Sequence, residues 1–244
     1  MMQTQPLINK QVLNPLTLSV PEVKKRPNSF SIELNAMHSK NRQQQEDFVK
    51  TGFEKAYQAK VNITMPYLLT LSQGQFKAAL GFRGGHLPLF IESYLNKRIE
   101  QQSYFKQLKV ARKDVVEIGH LFSNSKLLTL PLFTLTALSL TQLGYKHLVF
   151  SGTDKVIQLF ERSGIKFTLL AIAKEEQLPP SNDDWGNYYS TNPKVVTFPL
   201  EQAISAVKKL PIFESLFYQF MAGTHDIFIS TNPRQHAKII EELL

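Results

Sequence analysis

The stretch Asp114–Ser151 reads DVVEIGHLFSNSKLLTLPLFTLTALSLTQLGYKHLVFS, and its reading decides the fold. Asp114 to Leu121 opens it with a short β-branched run, which predicts a strand. Leu130 to Leu143 is longer and apolar, and Gly144 follows where a helix-ending glycine belongs, so a helix is predicted. His147 to Ser151 is a brief apolar run, the length of a buried strand. Strand, helix and strand in succession imply parallel strands joined by a crossover helix, because parallel pairing needs a connection of that length. The uncharged run Leu127 to Tyr145 is long enough to raise a membrane span. It also holds Pro131 and the hydroxyls of Thr129, Thr134, Thr136, Ser139 and Thr141. That density of polar groups suits a buried helix of a soluble domain better than a lipid-facing one.

Working outward, Asp154 to Ser163 predicts a helix closed by Gly164, and Lys166 to Ala173 predicts a strand. Upstream, Tyr67 to Ser72 and Phe76 to Arg83 flank Gln73-Gly74 and predict a hairpin. Ser29 to Leu34 reads as a first strand. Asn41 to Lys60 reads as a helix, from the spacing of Phe48, Val49, Phe53, Ala56 and Tyr57. Leu89 to Gln102 predicts a further helix. The expected class is α/β with a mixed (α+β) sheet: an antiparallel hairpin half, a parallel half, and helices on both faces. Pro6, Pro15, Pro21 and Pro27 punctuate residues 1–28, predicting a disordered arm before a domain at 29–199. Residues 200–244 read as a helical extension. In it Glu201 to Leu210 is amphipathic, Pro211 ends that helix, and Phe213, Phe217 and Phe220 form an aromatic face. Core packing, self-association and peripheral membrane contact all suit such a segment.

The chain has no cysteine, which excludes a disulfide framework, a Cys–zinc site and a thiol nucleophile. Histidine pairs at metal-ligand spacing are missing too, so no metal is expected. Lys and Arg number 28 against 20 carboxylates, a formal charge of +8. An excess of that size favours an acidic partner. No nucleic-acid-binding signature accompanies it, so nucleic acid is not expected as the partner. No apolar core follows a basic start near Met1, so a cytoplasmic location is expected.

Several runs go beyond pattern: Ala79-Leu80-Gly81-Phe82-Arg83, Leu89-Phe90-Ile91-Glu92-Ser93-Tyr94-Leu95 with Ile99-Glu100, and Arg112 with Val116-Glu117-Ile118-Gly119-His120-Leu121. They continue in Phe160-Glu161-Arg162-Ser163-Gly164, Trp185-Gly186-Asn187-Tyr188-Tyr189 and Pro193-Lys194-Val195. In this order and spacing, from Phe48 to Val196, the chain resembles the thermostable hemolysin family. That family is in turn similar to acyl-homoserine-lactone synthases of GNAT-like acyltransferase fold. The link rests on Gly81-Phe82-Arg83, Leu87-Pro88-Leu89-Phe90 and Val116-Glu117. The resemblance implies an N-acyltransferase that moves a fatty acyl group to an amine or amino-acid-like acceptor. The donor would be acyl carrier protein or acyl-coenzyme A. The family's name implies the alternative, a membrane-active protein that lyses erythrocytes. Two departures stand out. Gly119-His120 replaces the Ser/Thr-Arg that follows the strand glutamate in the synthases, and the phosphate turn Ser123-Asn124-Ser125-Lys126 lacks glycine.

Acyl transfer to an amine needs a group to take the proton and donors for the developing oxyanion. Glu117, on a central strand, is the candidate base; otherwise it is one half of a salt bridge to Arg83 or Arg112. Arg83 is a candidate substrate anchor or a partner that holds Glu117. Arg112 and His120 complete the catalytic candidates. Glu92, Trp185, Tyr188 and Tyr189 are candidate substrate-binding residues; a solvated helix carboxylate and an ordered loop are their structural readings. Ser123, Asn124 and Lys126 are candidates for the donor's phosphates. Lys97, Arg98, Lys106, Lys109, Arg112 and Lys113 suit an acidic acyl carrier protein.

Overall fold

The structure, a computed structural model, describes residues 30–208. The predicted arm at 1–28 and the extension beyond Lys208 lie outside the described residues. Seven strands form one sheet: β1 (Ser31–Ala36), β2 (Tyr67–Gln73), β3 (Gln75–Gly84), β4 (Val115–Ser123), β5 (His147–Gly152), β6 (Thr168–Ile172) and β7 (Lys194–Pro199). Their order across the sheet is β1-β2-β3-β4-β5-β7-β6. Strands β1 to β4 pair antiparallel, and β4 pairs parallel with β5. The helices are α1 (Arg42–Tyr57), α2 (Ser103–Gln107), α3 (Lys126–Gln142), α4 (Asp154–Arg162) and α5 (Glu201–Lys208).

Alternation along the strands sorts the core into two faces, as period-two side-chain direction requires. Tyr67, Leu69 and Leu71 of β2, with Val116 and Ile118 of β4, join the core beneath α3, whereas Leu68 joins the cluster under α1. Helix α3 is apolar on nearly every side and buries twelve residues, Leu128 and Leu130–Leu140. Its hydroxyls cause no penalty there. Thr134, Thr136 and Ser139 donate to the carbonyls of Leu130, Leu132 and Leu135 at 2.8–3.0 Å. Among the described residues no helix is long and apolar enough to cross a membrane.

Two expectations are corrected. Leu89 to Gln102 is not one helix: it forms 3-10 turns at Phe90–Tyr94 and Ile99–Gln101, followed by α2. The N–H of Ile99, which an α-helix would give to the Leu95 carbonyl, is taken by the Glu92 carboxylate, and the N–H groups of Glu92 and Leu95 bond three residues back, in 3-10 fashion. The second correction concerns the last strands. β7, read only as the Pro193-Lys194-Val195 motif, inserts between β5 and β6 and pairs antiparallel with both. β5 and β6 therefore run parallel but do not touch along their edges.

One irregularity makes room for a site. β4 and β5 share only three pairs, Val115↔His147, Val116↔Leu148 and Glu117↔Val149. Beyond them β4 continues along β3, and β5 continues along β7. In β4, His120 and Leu121 stand opposite the single residue Leu80, since Ala79 pairs with Phe122 and Gly81 with Gly119. Such a bulge bends and over-twists its strand. His120 takes the extra turn with φ 52°, in the left-handed region.

Candidate functional site

Where β4 and β5 part, a cavity opens that leaves about 90 Å³ for the centre of a water-sized molecule. Its wall takes Glu117 and His120 from β4, Ser151 from β5, Phe133 from α3, and Trp185 and Tyr188 from the loop before β7.

Glu117 is 1% exposed, the one fully buried carboxylate among the described residues. Its oxygens accept the N–H groups of Phe90 (2.8 Å) and Ile91 (3.0 Å), the first turn of the 3-10 segment. Arg83 Nε lies 3.7 Å away. Burial pushes the carboxyl up to about 7, and Arg83 and the two N–H donors hold it from going higher. A carboxyl poised there exchanges a proton readily near neutrality.

Arg83 is already occupied. It donates to the carbonyls of Pro88 and Thr64, to Thr64 Oγ1 and towards Met65 Sδ. It fixes the chain around Glu117 and is not part of the cavity wall. Arg112 and Glu92 also lie off the wall. They form a bidentate ion pair, with a second Arg112 contact to Glu100 at 2.9 Å and Glu92 Oε1 accepting Ile99 N–H at 2.7 Å. The pair clamps the turns that carry Phe90 and Ile91, whose N–H groups bond Glu117.

His120 donates Nε2–H to the Asn62 carbonyl at 3.2 Å. A carbonyl only accepts, so that bond fixes the proton on Nε2 and leaves Nδ1 a bare lone pair. Nδ1 is buried without a partner. Burial, with Arg83 nearby, lowers the imidazole to about 4 and keeps it neutral. The indole Nε1–H of Trp185 is likewise buried and unpaired. Tyr188 meets Ser151 Oγ at 3.5 Å, and Tyr189, off the wall, bonds Tyr94 through the hydroxyls at 2.6 Å.

The aromatic loop is pinned across the C-terminal end of α1. Lys60 and Asp184 exchange backbone bonds at 2.6 and 2.9 Å, and Asn187 N–H donates to the Tyr57 carbonyl at 2.7 Å. Gly186 sits at φ 50°, and a Cβ there would collide with the carbonyl oxygens of Tyr57 and Gln58. Asp183 Oδ1 accepts both the backbone and the side-chain N–H of Asn62, at 2.7 and 2.8 Å. Asn62, Asp183 and Ser151 were not foreseen; each is an ordinary polar residue in sequence and gains meaning only through these long-range contacts.

Ser123 ends β4, Asn124 lies in the turn after it and Lys126 opens α3, and none of the three lines the cavity. The turn is folded onto β3. Asn124 N–H bonds the Lys77 carbonyl, and Ser125 N–H bonds Ser123 Oγ. Two N–H groups expected for a phosphate are thus used internally, while the Lys126 side chain is exposed. Lys97, Arg98, Lys106, Lys109 and Lys113 are also exposed; Arg112 is withdrawn into its ion pairs. Among the described residues no cluster of His, Asp and Glu is arranged to hold a metal.

No curated protein matches the chain. Solved structures do. BjaI, a CoA-dependent acyl-homoserine lactone synthase with MTA, aligns over 74% of this chain and 89% of its own, at 11% identity and TM-score 0.51. TofI in an apo form aligns over 74% and 96%, at 10% identity and TM-score 0.51. FeeM, an N-acyl amino acid synthase from uncultured soil microbes, aligns over 73% and 95%, at 13% identity and TM-score 0.49. At these identities the likeness is one of fold: a mixed sheet of the GNAT and acyl-homoserine-lactone-synthase type. The family model of the thermostable hemolysins matches residues 35–204, and the chain belongs to that family.

Proposed function

We propose that the protein is an N-acyltransferase that moves a fatty acyl group from the thioester of acyl carrier protein or coenzyme A to an amine. The observation that carries this reading is Glu117: a fully buried carboxyl, held near neutrality, on the wall of a cavity opened by the splay of β4 from β5. The ammonium form of the acceptor first loses one proton to solvent. The neutral nitrogen then attacks the thioester carbonyl and Glu117 takes the proton it sheds; the C–N bond forms, the C–S bond breaks, and the thiolate leaves with the proton held on Glu117. The Trp185 indole N–H, buried without a partner in a residue of the wall, reaches the oxyanion by a turn of its ring. Phe133, Phe150 and Val156 give the cavity an apolar lining suited to an alkyl chain. The fold shared with BjaI supports the reading at the level of architecture. The exposed lysines before β4 suit an acidic carrier, and Lys126 a phosphate.

Lysis of membranes, in this reading, belongs to an amphiphilic N-acyl product. Lipid-free protein that lysed erythrocytes by itself would contradict that. The direct test offers long-chain acyl carrier protein and acyl-coenzyme A with a pool of amines and amino acids, and reads products by mass spectrometry. A new acyl-amide that disappears with Glu117→Gln is expected; no thioester loss with any acceptor would refute the proposal.

A further inference from the structure

The walls of the cavity differ in charge from the rest of the molecule. The chain as a whole carries +8. Yet the wall has two carboxylates, Glu117 and Asp183, and no Lys or Arg among the described residues. The nearest guanidinium groups are committed elsewhere. Arg83 is spent on Pro88, Thr64, Met65 and Glu117. Arg42 is spent on the carbonyls of Asn35, Met65 and Pro66 and on Glu46. A carboxylate entering the cavity would find no side-chain cation to answer it.

A cation would be received well. Asp183 uses only Oδ1 on Asn62, and Oδ2 has no hydrogen-bond partner among the described residues. Around this acceptor six rings form a continuous aromatic wall. Phe53 and Tyr57 meet Tyr188 (centroids 6.5 and 5.2 Å), Tyr188 meets Trp185 (5.5 Å), Trp185 meets Phe90 (6.0 Å) and Phe90 meets Tyr94 (5.8 Å). Aromatic faces attract organic cations, most strongly where water is excluded.

We infer that the acceptor is an aliphatic amine with no carboxylate beside its nitrogen, bound as its ammonium ion and held by the aromatic wall and Asp183. The inference rests on the acyltransferase reading for the word acceptor, and on the cavity alone for the preference. A free α-amino acid is thereby disfavoured, because its carboxylate would lie against Glu117 and Asp183.

Trp185 is the only tryptophan in the chain, so its fluorescence reports on the cavity directly. Full-length protein is titrated with three probes of equal length: hexylammonium, hexanol and hexanoate. Hexylammonium is expected to bind at least about tenfold tighter than hexanoate, which meets like charge. Asp183→Asn keeps an oxygen for Asn62 while removing the charge. It is expected to weaken hexylammonium roughly three- to fivefold and leave hexanol unchanged. Hexanoate binding as tightly as hexylammonium, or an unchanged ammonium affinity in Asp183→Asn, would overturn the inference. A preserved ammonium preference in a protein that acylates no amine would support the inference while removing the acyltransferase reading, so the two fail separately.

Discussion

Replacing Glu117 by Gln removes a titratable group whose folded pKa, about 7, lies above its ordinary 4.5. A carboxyl with a raised folded pKa binds its proton more tightly in the folded state. It therefore contributes stability that is fully present below pH 4.5 and is lost as pH rises through 7. The difference of two and a half units corresponds to about 3 kcal/mol, at ~1.36 kcal/mol per unit. Gln keeps the shape and does not titrate, but offers one oxygen where Glu117 offers two to the Phe90 and Ile91 N–H groups. The protonated carboxyl likewise offers one full acceptor, so Gln imitates the neutral form of Glu117. The stability of Glu117→Gln relative to wild type is thus lowest at and below pH 4.5 and rises by about 3 kcal/mol by pH 8, where the variant equals or exceeds wild type. Urea unfolding followed by circular dichroism at intervals from pH 4 to 8 measures it. Other titrating groups cancel in the difference between the two proteins. A difference that stays flat across that range would show that the carboxyl ionises at its ordinary pH, and the argument for a base poised near neutrality would fall with it.

Arg112→Ala leaves Glu92 and Glu100 without their shared partner and loosens the turns above Glu117; a loss of about 2–3 kcal/mol in urea unfolding is expected. Gly186→Ala meets both a left-handed backbone and the Tyr57 carbonyl, so it is expected to cost about 2 kcal/mol. The cost should be local, read as a red shift of Trp185 emission at temperatures where the far-ultraviolet spectrum is intact. His120→Gly relieves about 1 kcal/mol of left-handed strain and removes a ring packed against Phe53, so net stability in urea unfolding should change little. A loss above about 3 kcal/mol in that variant would make His120 a packing residue only.

The sequence was legible where one element answers to one period. Strand β4, the buried α3 and β5 were read from local runs, because each satisfies its hydrogen bonds within its own segment or with its neighbour. The hydroxyls that argued against a membrane helix turn out to bond within α3. Reading failed where distant groups overrule local preference. Phe90 to Gln101 has apolar spacing suited to a helix, yet its N–H groups are claimed by Glu117, Glu92 and neighbouring carbonyls. β7 is marked in the sequence only by the Pro193-Lys194-Val195 motif, and its position between β5 and β6 makes Lys194–Pro199 a strand. In the site, Glu117 was legible as a charge on an apolar strand. Glu92 and Arg112 looked equally eligible, since sequence does not reveal that they neutralise each other. Asp183 and Asn62 were invisible because their bond spans 121 residues.

A single extra residue in β4 accounts for much of the cavity's chemistry. β4 and β5 part after Glu117↔Val149, and the bulge at His120-Leu121 follows beyond that point, against β3. The same left-handed residue carries the imidazole to the Asn62 carbonyl, which takes one nitrogen and strands the other. A left-handed histidine costs roughly 1–2 kcal/mol, and a buried unpaired nitrogen costs about as much again. Neither cost brings a packing gain that an apolar residue would not supply at least as well. The stranded lone pair, the unpaired indole N–H and the buried carboxyl belong to three residues that line one cavity, whereas Gln45 Oε1 and the His147 ring nitrogens are unpaired away from it. The unpaired atoms away from the cavity are defects of packing. The three residues that share one wall present what a ligand bearing both a donor and an acceptor would satisfy.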